Sequence, residues 1–156
     1  MAKNIGFIWI GKLKKSFWQE AVQHYWHILG RYYTLQDICL KNAPASMGPE
    51  QCKQEESKRI QHKLTSQDRT IILDSQGQAL RSPELARMLQ IWIQDHERRP
   101  CFVLGGSYGL EPEFRSQADF LLSLGPITLP HELARVVLLE QLYRATCINL
   151  NHPYHH

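Results

Sequence analysis

The last residues of this 156-residue chain carry the side chains best suited to chemistry near neutral pH. His152, Tyr154, His155 and His156 lie within five residues, in the sequence NHPYHH. Imidazoles titrate near neutral pH and phenols at about pH 10. Such side chains can bind a metal, move a proton or stack on a nucleobase. An affinity-tag remnant is the alternative for His156, although two terminal histidines are too few to indicate a tag.

A mostly apolar segment, residues 133–150, precedes this tail. It predicts a helix that belongs in a core or a subunit interface. His131 and Arg135 are four residues apart at its start, so they share a helix face. For His131 alone we favour a role in starting the helix or in packing over a catalytic role.

Two arginines, Arg135 and Arg144, interrupt the apolar pattern of this helix. They could pair with Glu132 and Glu140, or they could reach a phosphate group in a binding site. The sequence pattern leaves both roles open.

Upstream of this helix, strand patterns alternate with helix patterns. Predicted strands cover residues 5–10, 32–40, 70–74, 101–104 and 120–124, and predicted helices cover residues 17–29, 49–64, 82–94 and 111–118. This order is typical of an α/β protein with a mostly parallel sheet, and we expect a single domain over residues 1–156. Ser16 and Ser82 are the predicted helix caps.

Two of these helices carry further expectations. In the first, Phe17, Ala21, Tyr25 and Ile28 form one apolar stripe, which should pack against the sheet. The helix over residues 49–64 is polar on nearly every turn. We therefore expect it to face solvent and to be loosely held.

Three predicted strand ends are candidate ligand sites, because open α/β sheets bind ligands beyond the carboxyl ends of their strands. They are Leu73-Asp74, residues 104–106 and residues 124–129. The glycines of the sequence GGSYG, at 105, 106 and 109, could adopt positive φ and allow close approach of a phosphate or an adenine. A tight strand-to-helix turn explains them equally well.

Charge and cysteine content narrow the class of protein. The net charge is +3, with +5 in residues 1–67 and −2 in residues 68–156. This basic half is compatible with a polyanionic partner, but such imbalance is also common in small proteins.

The four cysteines form no metal-binding motif, so we expect buried, reduced thiols and no metal. The chain has no apolar run long enough to span a membrane and no signal-peptide pattern, so we expect a cytoplasmic protein without membrane contact.

Four segments in order resemble one family over the whole chain. They are LD at 73–74, LGGSYGL at 104–110, LSLGPITLPHELARVVLLEQLYRA at 122–145 and NHPYH at 151–155. Together they resemble the ribosomal RNA large subunit methyltransferase H family, which belongs to the SPOUT, or α/β-knot, methyltransferases. The last thirty-five residues carry the most specific part of the resemblance.

The resemblance implies a SPOUT-type α/β knot, with helices flanking the sheet and a trefoil knot near the C-terminus. It further implies methyl transfer from S-adenosylmethionine (SAM) to N3 of a pseudouridine in 23S rRNA of the assembled ribosome. The implied cofactor contacts are Leu73, Gly105, Gly106, Leu124, Gly125, Pro126, Ile127, Thr128 and Leu129.

The resemblance also implies a homodimer, whose active site combines the cofactor loops of one subunit with the surface of the other. We expect His152, Tyr154 and His155 beside the target base, with Arg135 and Arg144 aligning RNA or lowering the pKa of the imide. Lys12, Lys14, Lys15 and Arg31 are candidate phosphate contacts, with a solvated face as the alternative.

The sequence departs from the family pattern at two places, and two other functions remain as alternatives. GGSYG lacks the acidic or proline residue that many relatives have between the glycines, and His156 stands where the family usually has Lys or Arg. One alternative is a ribosome-associated binding module of the same fold without methylation. The other is a metal-dependent hydrolase using the terminal histidines, which we disfavour because no carboxylates lie near them in sequence.

Overall fold

A computed structural model describes residues 3–154 and confirms the α/β architecture. Strands alternate with helices in the predicted order. The elements are β1 (Asn4–Ile10), α1 (Ser16–Leu29), β2 (Thr34–Leu40), α2 (Pro49–Gln61), β3 (Asp68–Ala79), α3 (Ser82–Gln94), β4 (Arg99–Leu104), α4 (Pro112–Ser116), β5 (Phe120–Ser123) and α5 (His131–Asn149).

The five strands form one sheet in the order β2-β1-β4-β3-β5, and every pair is parallel. All five carboxyl ends therefore lie at the same edge of the sheet. Of the predicted cofactor residues, Leu73 lies within β3, and the others follow β4 and β5, which are the two neighbours of β3 in this order.

Alternating side chains of β1 divide the core into two layers. Ile5, Phe7 and Trp9 belong to the larger apolar cluster, which also contains buried residues of α3 and α5. Ile8 and Ile10 belong to the smaller cluster, with residues of α2 and α4. Because successive side chains of a strand point to opposite faces, this pattern places helices on both faces of the sheet, as predicted.

The apolar helix α5 lies on the first of these faces and packs against α1 and α3. Leu138, Leu139 and Leu142 are inaccessible to solvent. Val136, Val137 and Tyr143, by contrast, remain half-buried. One side of α5 is thus a core surface, and the other retains exposed apolar area.

Several local predictions were wrong. Neither predicted serine caps its helix: the cap positions are Lys15 and Arg81, and the Glu84 carboxylate accepts the Arg81 N–H at 2.7 Å. Ser82 instead donates a hydrogen bond to Gln141.

The apolar stripe of α1 does not include Phe17, which is 56% exposed. The α1 residues packed on the core are Val22, Tyr25, Trp26 and Leu29.

The strand β3 continues beyond its predicted end at Asp74. Its pairing with β5 jumps between Leu73 and Gln78, both of which lie opposite Leu122. At Gly77, between them, a Cβ atom would lie 2.6 Å from the Leu121 backbone. Glycine is therefore required for this close approach, and residues 74–77 bulge out of the ladder.

The cysteines differ from prediction at one position. All four are free thiols, and Cys52, Cys101 and Cys147 are buried as expected. Burial raises the pKa of Cys101 to about 12. Cys39, on the edge strand β2, is exposed.

Candidate active site at the two ends of the last helix

The loop between β5 and α5, residues 124–129, forms an open surface at the carboxyl edge of the sheet. Gly125 has φ of +118° with open space around its α-carbon, a conformation that favours glycine. The Ser123 hydroxyl accepts the Gly125 N–H at 3.1 Å and so holds the turn. Ile127 is 76% exposed. The loop thus presents main chain and one apolar side chain, which are the groups that hold a flat heterocycle.

Leu73 joins this loop at the same edge of the sheet. It pairs with Leu122 of β5, two residues before the loop begins, and it packs against the larger apolar cluster together with Leu124 and Leu129. The structure thus brings together Leu73 and the loop that the sequence predicted as cofactor contacts.

Glycine is needed at positions 105 and 106 for a different reason from the one that the sequence suggested. Neither has positive φ. A Cβ atom would lie 2.7 Å from Leu110 Cγ at Gly105 and 2.3 Å from the Glu56 carboxylate at Gly106. Only Gly109 of this segment has positive φ, at +80°. Packing inside the protein therefore explains Gly105 and Gly106, and a cofactor contact there would have to use their main chain.

The helix α2 packs against this glycine segment. This contact corrects the prediction that the helix is loosely held and faces solvent. Glu56 and Ser57 are buried. The Glu56 carboxylate accepts the Ala43 N–H at 3.0 Å, and the Ser57 hydroxyl accepts the Glu111 N–H at 3.0 Å. The buried positions Cys52, Glu56 and Ile60 are spaced four residues apart. Had Glu56 been counted together with Cys52 and Ile60, this spacing would have predicted that its side chain is buried.

His131 begins α5 directly after the open loop. Burial, followed by the nearby Arg135 charge, lowers the pKa of His131, and Glu56 opposes this effect. The imidazole is therefore neutral at pH 7 and able to accept a proton. Its Nδ1 is buried without a hydrogen-bond partner among the described residues. Our preference for a merely structural His131 overlooked this neighbourhood, which only the folded chain assembles.

Arg135 is buried beneath the same end of α5, with 5% of its surface exposed. Its guanidinium donates hydrogen bonds to the carbonyls of Ile10, at 3.1 Å, and Gly11, and lies 5.2 Å from the centre of the Trp9 ring. Burial lowers its pKa. Arg135 thus ties α5 to the end of β1.

Glu132 does not form the suggested ion pair with Arg135. Instead, its carboxylate accepts the N–H groups of Lys14 and Lys15, at 2.9 and 3.2 Å. These bonds, the one to Lys14 first, lower the pKa of Glu132. Glu132 therefore holds the start of α1, which the predicted Ser16 cap does not.

At the other end of α5 the tail folds back along the helix. Asn151 adopts φ of +56°, and the His152 N–H donates to the Cys147 carbonyl at 2.8 Å. The His152 ring lies 6.2 Å from that of Tyr32. The predicted site residue His155, like His156, lies outside the described residues.

Tyr154 belongs to a tail cluster consisting of Tyr154, Tyr143, Arg144, Glu140 and Tyr25. Arg144 pairs with Glu140, as one of our two alternatives had it, and lies 5.0 Å from the Tyr154 ring centre. The Tyr154 hydroxyl donates to Glu140 at 3.4 Å, and its ring lies 4.6 Å from that of Tyr143. Burial and then the neighbouring Tyr25 raise the pKa of Tyr154. The phenol therefore stays protonated and acts as a hydrogen-bond donor.

The loop and the tail cluster are separated within one chain. The 19 residues of α5 span about 28 Å, and Glu140 lies about 13 Å along the axis from His131. Reacting groups must approach to about 3–3.5 Å. Tyr154, which contacts Glu140, therefore lies further along α5 and not beside the residue that follows the open loop.

The described residues contain no metal-binding arrangement and no candidate membrane span. No group of three His, Cys, Asp or Glu side chains within residues 3–154 is placed to hold a metal ion. None of the helices in that range has the length and apolarity needed to cross a bilayer.

Comparisons with known proteins agree with the resemblance. A family model described as "Predicted SPOUT methyltransferase" matches residues 3–155. Proteins named ribosomal RNA large subunit methyltransferase H are 45% identical: that of Maridesulfovibrio salexigens over 98% of both chains, and that of Desulfovibrio desulfuricans over 99% of this chain and 98% of the other.

A solved structure gives a likeness of fold. It is that of a probable methylase family protein from Haemophilus influenzae Rd KW20, with a TM-score of 0.60 and 13% identity. The match covers 94% of this chain and 66% of that one.

Proposed function

Because this chain belongs to the SPOUT methyltransferase family and is therefore a methyltransferase, we propose that it methylates N3 of a pseudouridine in 23S rRNA. The donor is S-adenosylmethionine, and the preferred substrate is the assembled ribosome. The observation that carries this proposal is the 45% identity over 98% of both chains to a ribosomal RNA large subunit methyltransferase H.

The cofactor would lie on the open loop, residues 124–129, with Leu73 and the main chain of Gly105 and Gly106. The geometry supports this placement because Gly125 leaves its α-carbon open and Ile127 is exposed. Main-chain groups and apolar side chains bind an adenine without a metal. We further infer from the family that α5 passes through the loop after the third strand and forms a trefoil knot.

The active site would be shared between two copies of the chain. Tyr154 contacts Glu140, about 13 Å along α5 from the start of the helix, and α5 retains half-buried apolar residues on its outer side. A homodimer pairing these outer sides would bring the tail of one copy to the loop of the other, in a self-complementary interface.

The chemistry requires loss of the N3 proton and in-line placement of the base. Bound S-adenosylmethionine supplies an already activated methyl group. The protonated Tyr154 would donate a hydrogen bond to a carbonyl oxygen of the base, stabilising negative charge as the proton leaves. His152 and His155 of the tail and the neutral His131 beside the loop are the candidate proton acceptors. Arg135, held rigidly, contributes positive charge near this end of α5.

Calorimetric titration with S-adenosylmethionine, together with the mass in solution, tests this function first. We expect binding by a dimer, followed by methyl transfer to ribosomes that contain the pseudouridine but lack its methyl group. Ribosomes lacking the pseudouridine itself are the matched control and should accept no methyl. A well-folded protein that binds no cofactor would overturn the proposal and favour the non-enzymatic binding module.

A further inference from the structure

A cavity of about 270 Å³ lies between α1 and the carboxyl ends of β1 and β2. It is separate from the loop over residues 124–129, since none of those residues lines it. Its walls include Trp9, Val22, Trp26, Lys12, Asp37 and Arg135. We call this cavity the Trp26 pocket. An apolar cavity with a few converging polar groups is the usual form of a small-ligand site.

The floor of the Trp26 pocket is rigid. The Trp9 indole N–H donates a hydrogen bond to the Asp37 carboxylate, and the Arg135 guanidinium lies against the Trp9 ring. Phe7 stacks on the same indole at 5.2 Å. These contacts fix the Trp9 ring before any ligand arrives, which lowers the entropic cost of binding.

The pocket also contains a buried hydrogen-bond donor without a partner. Arg135 is 5% exposed, and its Nε finds no acceptor among residues 3–154. A buried donor left in this state is destabilising, because it has lost its hydrogen bond to water. A carbonyl oxygen or a ring nitrogen is the kind of acceptor that such a donor binds.

The rim of the pocket carries positive charge. Lys12 lines the cavity, and Lys14 and Lys15 follow in the same exposed segment before α1. A flat ring with acceptor atoms would thus lie against Trp26 and Val22, while an attached phosphate would remain outside near the lysines. A nucleotide combines such a ring with such a phosphate.

We propose that the Trp26 pocket binds an unpaired nucleobase of the RNA substrate, with the adjoining phosphate on the Lys12 segment. This proposal rests on the proposed function and extends it, because it places RNA recognition on a surface that the tail and cofactor loop do not use. Arg135 connects the two sites, since it lines the pocket and lies in the first turns of α5, the helix that follows the proposed cofactor loop.

Nuclear magnetic resonance of the tryptophan indole N–H groups tests the pocket directly. The chain has four tryptophans, of which Trp9 and Trp26 line the pocket, and Trp92 is buried on α3 and serves as an internal control. We expect uridine 5′-monophosphate, without S-adenosylmethionine, to shift the Trp9 and Trp26 signals at about millimolar concentration. Ribose 5-phosphate, which lacks the base, should shift them much less.

Two outcomes of this titration overturn the proposal. One is the absence of shifts at Trp9 and Trp26, or equal shifts at all tryptophans. The other is an equal response to ribose 5-phosphate, which would indicate a phosphate site without base recognition. Cofactor calorimetry on the same sample separates the two proposals: a protein that binds cofactor but not the nucleotide retains its proposed function and loses only the pocket.

Variants connect the pocket to catalysis. Val22→Phe should obstruct the cavity, strongly reduce the nucleotide-dependent shifts and lower kcat/KM for ribosomes about tenfold, with cofactor affinity unchanged. Lys12→Gln should lower ribosome affinity several-fold. Its matched control is Lys3→Gln, which removes an exposed charge near the opposite edge of the sheet and should have little effect. Equal effects of the two lysine variants would contradict the role of the rim.

Discussion

The two ends of α5 are built by different means. At its start, Arg135 is buried and bonded to main-chain carbonyls of β1, and Glu132 holds the first residues before α1. At its end, Tyr154 is 37% exposed and rests on the half-buried ion pair between Arg144 and Glu140. Buried hydrogen bonds fix a surface in one geometry, whereas exposed contacts can be exchanged at low cost. The comparison indicates a rigid end beside the open loop, where we place the cofactor, and an adjustable tail end, where we place the substrate.

The strongest test of this difference between the two ends of α5 is complementation between two inactive variants. Combined replacement of His152, Tyr154 and His155 by alanine should lower single-turnover methylation at least about 100-fold, because the hydrogen bond and proton acceptor are lost. Gly125→Val should also abolish activity, since valine is strained at φ of +118°. If the site is shared, dissociating and reassociating an equal mixture should restore about a quarter of wild-type activity.

The controls for complementation are each variant reassociated alone, which should stay inactive. Cofactor calorimetry should show that only the Gly125 variant has lost binding. A mixture as inactive as its components would mean that both functions belong to one chain, contrary to the distance along α5.

A matched pair of arginine variants measures the difference in rigidity. Arg135→Met should lower the free energy of unfolding by about 2 kcal/mol, because the carbonyls of Ile10 and Gly11 lose the buried guanidinium donor. Arg144→Met should cost less than about 1 kcal/mol, since its ion pair is partly exposed. Urea unfolding followed by fluorescence gives both values. Equal losses, or the reverse order, would contradict a rigid cofactor end.

The main elements and their order could be predicted from sequence, because apolar runs and helix periodicity are local signals. The predicted strands at 5–10 and 101–104 lie within β1 and β4. The continuation of β3 to Ala79 could not be predicted, because it depends on Gly77 approaching the backbone of Leu121 on another strand.

The candidate site was predictable only where its residues are contiguous. The loop over residues 124–129 and the tail each form one stretch of sequence, and the motifs that contain them are specific. Glu56 and Ser57 were missed because their partners, Ala43 and Glu111, are 13 and 54 residues away. The buried environment of His131 likewise depends on Arg135 and on the fold around it.

A milder change at the tail end separates catalysis from cofactor binding. Glu140→Gln removes the charge that holds Arg144, and with it part of the support for Tyr154. We expect kcat to fall about three- to tenfold, while KM for S-adenosylmethionine stays within about twofold. Steady-state kinetics on ribosomes measures both. Glu84→Gln, at the capping box of α3, is the control for a general loss of stability, and it should leave kcat unchanged. A selective rise in the cofactor KM of the Glu140 variant would place its role at the other end of α5.

The smallest expected effect concerns the pH dependence of stability at the cofactor end. Burial holds the pKa of His131 below its value in the unfolded chain, about 6.5. As the pH falls below that value, the unfolded chain binds this proton first. Stability contributed by the neutral imidazole is therefore present above the unfolded pKa and is lost as the pH falls towards the folded one. His131→Gln removes this pH-dependent contribution to stability. Between pH 7.5 and 5.5, the melting temperature of the variant should therefore fall by about 2 °C less than that of the wild type.

The control for this last experiment is Tyr154→Phe, which alters the tail end and keeps every histidine. Its pH dependence should match that of the wild type, because a phenol whose pKa is raised stays protonated throughout this range. If His131→Gln instead showed the wild-type decline, the imidazole would be charging freely in the folded protein. It would then be open to solvent beside the loop, and the start of α5 would have the same adjustable character as the tail.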